Sequence, residues 1–222
     1  MPTPDAILAE LTVLAHDGRP LAILWHGWLG GVVVMVLSGW RPPARLLARL
    51  LIPPLGSVAA LSALSGNPFN SIVLTTVAVA LVRTTTRLPE TPVRLDSPPW
   101  VTAGAALIAF GWTYPHFLAG EPWTTYLYAA PFGVLPCPTL SVAIGATLAF
   151  ENCRSFGWSA TLAFAGILYG AVGLFALGVL LDGVLLSAAL ALVFVSLRHQ
   201  CRLFLGIARR REGSLTPLRR RA

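Results

Sequence analysis

Seven long apolar blocks, at residues 21–39, 44–65, 68–83, 100–118, 131–150, 159–180 and 183–201, are separated by gaps whose charge alternates. Arg41, Arg45 and Arg49 follow the first block, and no basic residue lies between the second and third. Arg83, Arg87 and Arg94 follow the third block, while Glu121 alone lies between the fourth and fifth. Arg154 follows the fifth, only Asp182 separates the sixth from the seventh, and a run of arginines starts at Arg198. A helix of roughly 20 apolar residues crosses the hydrocarbon of a bilayer, and arginine collects on the cytoplasmic side. The pattern predicts an all-α, polytopic transmembrane bundle of seven spans, with the N-terminus outside and the C-terminus inside. Arg19 is then the one arginine left outside.

Composition agrees. The 222 residues are 55% hydrophobic and 11% charged, with a mean hydropathy of +0.72; a soluble domain carries about 25% charge. The net charge of +7 does not read as nucleic-acid binding, because its arginines sit in the gaps and at the C-terminus. Arginine so placed anchors topology and meets anionic lipid headgroups. The expected partners are the bilayer and those headgroups, with no nucleic acid. A homo-oligomer or a second membrane protein is the further partner in view, and the expected location is the bacterial inner (plasma) membrane.

One segment leaves two arrangements open. Pro53-Pro54 and "SGNPFN" interrupt the second and third blocks, so residues 44–83 make either two spans or a re-entrant hairpin, which would leave five spans. Both return the chain to the same side. The domain plan has three parts: residues 1–20, an interfacial amphipathic helix; 21–201, the transmembrane domain; 202–222, a basic, disordered cytoplasmic tail. Ile7, Leu8, Leu11 and Leu14 repeat at helical spacing over residues 4–16. Asp5, Glu10 and Asp17 stand where a signal peptide would be basic, so the N-terminus is expected to be retained.

The segment "YPHFL…APFGVLPCPTL", the earlier "NPFN" and the later "LGVLLDGVLL" resemble a group of bacterial multi-pass membrane proteins to which no activity is assigned. The resemblance covers roughly residues 60–195. It implies a helical membrane domain and carries over no catalytic residue.

The topology puts several polar residues at one depth near the outer face: His26, Asn67, Asn70, Tyr114, His116, Cys137 and Asp182. Ionisable residues within a membrane are costly and often functional. His26, Asn70, Tyr114, His116, Cys137 and Asp182 are the candidate ligand-binding residues. The proline-rich backbone around Pro115, Pro131, Pro136 and Pro138 suits the lining of a cavity, and a regular helix is expected only from Thr139. Each residue also has a plainer reading: an interfacial His26, a capping His116, a packed Cys137, and Asp182 as a helix cap. His, Cys and Asp are suitable ligands for zinc or copper, yet no CxxC, HExxH or i, i+4 ligand pair occurs. A bis-histidine haem held by His26 and His116 is the weaker form of that idea. No cofactor is expected, and no metal site is assigned.

Small residues mark helix packing at Gly27 and Gly31 in the first span, and at Gly166, Gly170 and Gly173 in the sixth. No GxSxG, P-loop or dinucleotide fingerprint occurs, so an enzyme is not expected. The leading expectation is a small-molecule permease or ligand-binding membrane domain, with an outward cavity among spans one, four, five and seven. The alternatives are a redox or metal-handling protein using Cys137 with His116 or His26, and a structural subunit of a membrane complex.

Overall fold

The computed structural model describes residues 3–118 and 120–215. The chain is all-helical, 77% helix with no strand among the described residues. The helices are α1 (Pro4–Asp17), α2 (Arg19–Leu37), α3 (Ala44–Leu50), α4 (Ile52–Leu64), α5 (Pro68–Thr85), α6 (Pro98–Thr113), α7 (Tyr126–Ala129), α8 (Pro136–Ala149), α9 (Phe156–Ala171) and α10 (Asp182–Leu215). Prolines open α1, α2, α4, α5, α6 and α8, where a missing N–H costs nothing because the first turn has no intrahelical acceptor. Side chains supply caps: Thr3 Oγ1 accepts from the Ala6 amide at 3.3 Å, and Asn67 Oδ1 from the Asn70 amide at 3.0 Å.

Among the described residues, four helical runs are long and apolar enough to cross a membrane: Arg19–Leu37, Ala44–Leu64, Pro68–Thr85 and Phe156–Ala176. Outward-facing residues such as Leu37, Leu64 and Phe175 are three-quarters or more exposed. A soluble monomer rarely leaves such large apolar areas in water. α3 and α4 stack into one 21-residue run despite the bend at Leu51, because Pro53 and Pro54 fall in the first turn of α4.

α8 is the hub. All of its residues except Cys137 are buried, against α6, α9, α10 and α4. A Cβ added at Gly104 on α6 would lie 2.5 Å from the Gly145 carbonyl oxygen, and one at Gly145 would lie 2.7 Å from that of Gly104. The two backbones therefore touch. Gly111 meets the Pro138 carbonyl in the same way, one heptad along.

Several expectations need correction here. α8 starts at Pro136 and not at Thr139, since both prolines fall among positions that lack an intrahelical acceptor. It is 14 residues long, about 21 Å, so residues 131–135 of the fifth block are not helical. α10 continues beyond residue 201 to Leu215, through most of the expected tail; "RLFLGIARRREGSL" has no proline and is rich in helix formers. Residues 216–222 lie outside the described residues. Gly27 and Gly31 pack against nothing: an added Cβ at either would meet no atom within 4 Å. Their spacing is right for a seam, but that face of α2 points away from the bundle. Gly166 and Gly170 do meet neighbours, at Ala189 and at the Leu186 backbone. The backbone contact of Gly104 with Gly145 was not among the expected packing positions.

The arginine-rich end is tied together by side chains. The last carbonyls of α8 have no intrahelical partner; Arg154 donates to Thr147 O at 3.1 Å and Leu148 O at 2.5 Å, and the Asp96 amide donates to Ala149 O at 3.0 Å. Arg154 also pairs with Asp96 at 2.5 Å, both side chains largely buried. Burial pushes the Asp96 carboxyl up, but the Ser97 amide and the Arg154 charge outweigh it and hold the carboxyl below the usual aspartate range. Arg45 donates to Thr86 O and Leu88 O beyond α5 and pairs with Glu90. Burial pushes the nearby Cys153 thiol up to about 12.

Two outcomes are expected. Gly104→Ala lowers the melting temperature in detergent by the equivalent of about 1–3 kcal/mol, whereas Gly27→Ala does not; equal melting for both would place the α6–α8 contact elsewhere. Asp96→Asn removes one partner of a buried pair and costs about 3 kcal/mol in chemical denaturation at neutral pH. Because the folded Asp96 carboxyl is depressed, its contribution is complete above the ordinary aspartate range and is lost as acid titrates the folded group. The difference between parent and variant should therefore shrink on acidification.

Candidate functional site

At the other end of the bundle, four chain segments stop short and meet. α6 ends at Thr113 and turns at once: the His116 amide donates to Tyr114 O at 2.8 Å around Pro115. Phe117 follows at φ 70°, a left-handed conformation that non-glycine residues rarely hold. It is kept there by burial and by its ring, stacked on Tyr114 with centroids 6.3 Å apart. α9 runs into one π-helical stretch, Val172–Ala176, a feature often found beside functional groups. Gly178 at φ 70° reverses the chain, and the Val179 amide returns to Gly173 O at 2.8 Å, which places Asp182 at the start of α10.

Tyr114 and Asp182 are both buried, and the Tyr114 hydroxyl donates to Asp182 Oδ1 at 2.6 Å. The half-buried Cys137 thiol faces the same carboxylate from the first turn of α8. A Cβ at Gly173 would overlap Asp182 Oδ2, so this glycine makes room for the carboxylate and does not seat another helix, as expected of it from the sequence. No arginine pairs with Asp182 among the described residues; His116, half-buried, stands close to it without forming an ion pair. Tyr169 stands near Cys137 and donates to Asn70 Oδ1 at 3.1 Å. A polar path therefore runs from Asn70 through Tyr169 and Cys137 to Asp182 and Tyr114.

Five of the six candidates thus fall along one path: Asn70, Tyr114, His116, Cys137 and Asp182. His26 does not join them. It is buried, with Nδ1 2.8 Å from Ala22 O and Nε2 2.9 Å from Trp112 O. Its ring packs edge-on against Trp112 and Phe132. Both ring nitrogens face carbonyl oxygens at hydrogen-bond distance, so neither is left for a metal. The interfacial reading of His26 gives way to a buried tie between α2 and the end of α6. Among the described residues no three His, Cys, Asp or Glu stand together as a metal would require.

Sequence reasoning missed Tyr169 on this path and the Arg154–Asp96 pair at the opposite end of the bundle. Tyr169 carried only a weak signal: it is the single phenol in its apolar stretch, where a tyrosine reads equally well as packing. The Arg154–Asp96 pair carried none, because its partners lie 58 positions apart (154 − 96) and both read as surface charge.

A cleft of about 430 Å³ opens at this end between α1 and the turn joining α4 to α5. It lies apart from the region among spans one, four, five and seven in which a cavity is expected; Tyr114, Leu118, Phe132 and Leu135 are buried there. Leu8, Leu11 and Leu14 of α1 pack on a buried cluster that includes Phe117 and Val134, against which Leu61 of α4 also packs. α1 thus lies across the bundle end and roofs one side of the cleft, while Asn70 both lines it and begins the polar path.

The Tyr114–Asp182 hydrogen bond joins a phenol to a buried carboxylate, a class of bond worth about 1.5–3 kcal/mol. A double-mutant cycle of Tyr114→Phe and Asp182→Ala, read by chemical denaturation, should give a coupling of about 2 kcal/mol. Strictly additive losses would show that the pair contributes nothing to the fold.

No protein family, curated protein or solved structure matches the chain, and the site's own geometry carries the functional reading.

Proposed function

We propose that this chain is a multi-pass protein of the bacterial inner membrane, with its N-terminus outside, its C-terminus in the cytoplasm and seven crossings. Its role is that of a small-molecule permease or ligand-binding membrane domain with an outward-facing site. The orientation rests on the alternating arginine gaps. In this reading the arginine-rich end lies in the cytoplasm, and α1 lies at the outer interface. The short α6 and α8 cross together with the broken segments that extend them, and the apolar first part of α10 makes the seventh span.

One observation carries the functional reading: the buried Tyr114–Asp182 pair with Cys137, reached from a cleft through Asn70 and Tyr169. A carboxylate without a cationic partner is expensive to bury, and helices broken at one depth are how membrane proteins build ligand sites. A fold needing only stability would place leucine at 137 and 182.

A C-terminal reporter should be active in the cytoplasm and silent in the periplasm; the reverse result overturns the orientation. A membrane-impermeant thiol reagent on intact cells should label Cys137, with a Cys137→Ser variant as control. Cys153, buried and with its thiol held protonated, should stay unlabelled. Labelling of Cys137 only after the membrane is dissolved would reduce the cluster to packing.

A further inference from the structure

We propose that the cleft between α1 and the α4–α5 turn binds a primary or secondary ammonium group carried on an apolar body, an inference that rests on the outward-facing reading above. The cleft has two kinds of wall. Glu10 and Asp17 lie two helical turns apart on α1 and both line it, as do Ser62, Ser65, Asn67 and Asn70. Ile7, Leu11 and Leu14 give it an apolar side. No arginine or histidine is among its lining residues, so an anion would meet two carboxylates with nothing to balance it. Its volume of about 430 Å³ falls in the range of small-ligand sites, roughly 300–1,000 Å³.

The acidic pair alone would describe only a charged surface. Ser62 makes the difference. It is 2% exposed and lines the cleft, yet its hydroxyl has no hydrogen-bond partner among the described residues. The other serines of this segment are bonded: the Ser57 hydroxyl shares its one hydrogen between Pro54 O and Gly133 O, and Ser65 donates to Leu61 O. The Ser62 hydroxyl is not sealed from the cleft it lines, so its lone pairs are open to a donor bound there. An incoming N–H donor would satisfy its lone pairs, and Glu10 and Asp17 would neutralise the charge. A quaternary ammonium would neutralise the carboxylates but leave Ser62 unpaired, so N–H donors are specified.

Ammonium groups of this kind come either from free amines or from ethanolamine lipid headgroups at the outer interface, and the experiment separates them. Phenethylammonium is titrated calorimetrically into the full chain in phosphatidylcholine nanodiscs at neutral pH. One saturable site is expected, with none for the uncharged isostere propylbenzene. Glu10→Gln with Asp17→Asn should weaken binding about tenfold or more, and Ser62→Ala about threefold, since charge-assisted hydrogen bonds are the stronger ones. Asp5→Asn, on the same helix and exposed but outside the cleft, should change nothing. In discs containing phosphatidylethanolamine, competition would mark the lipid headgroup as ligand, and unchanged affinity would mark the free amine. Absence of saturable binding, or equal weakening by Asp5→Asn, overturns the proposal. Cys137 labelling stands apart from these arms, so loss of the amine site with Cys137 still labelled from outside would leave the outward-facing reading standing.

Discussion

No methyl group fits between α6 and α8 at Gly104 and Gly145, where each backbone rests on the other. Helices that approach this closely gain dispersion contacts along their length, and the approach is possible only where Cβ is absent. It makes α8 the axis of the bundle. α9 then packs on α8 and α10, with Gly166 and Gly170 closing the distance to Ala189 and Leu186. The hairpin of α4 and α5 completes the ring through Leu55, Val58, Leu74 and Leu81.

An axis buried on all sides brings its own difficulty, because a helix ends with unpaired carbonyls and begins with unpaired amides. The chain answers differently at its two ends. At the arginine-rich end, the carbonyls of Thr147 and Leu148 receive the Arg154 guanidinium, whose charge is balanced by Asp96. At the other end, prolines at 136 and 138 remove two donors outright, and Thr139 Oγ1 accepts from the Gly133 amide while donating to Leu135 O. One end is locked by a salt bridge. The opposite end is left with tyrosines, a thiol and a carboxylate, which is why chemistry can be placed there.

Most of the helices were legible from residues alone. The apolar blocks match α2 and α5 closely, whereas α9 starts at Phe156 and ends at Ala171, well before the end of its block. The polar path was partly legible as well. Asn70, Tyr114, His116, Cys137 and Asp182 stood out because each is a polar residue near the end of an apolar block. Tyr169 did not, since a tyrosine in an apolar helix reads equally well as packing. His26 stood out for the same reason as the others and proved to be engaged with carbonyls of Ala22 and Trp112.

Sequence by itself determined that the chain is helical, where its apolar runs lie, and how charge divides between the gaps. Those properties depend on local spacing, capping and hydropathy, which act within a few residues. Tertiary structure alone decided which glycines are contacts: Gly104 and Gly145 touch, whereas Gly27 and Gly31 with equally suitable spacing face outward. It decided that Arg154 caps a helix, that Tyr114 reaches Asp182, and that α1 closes over a cleft beside Ser62. Each of these depends on the rotation of one helix about its axis relative to another, and a single chain's pattern leaves that rotation undetermined when apolar residues surround the helix on every side.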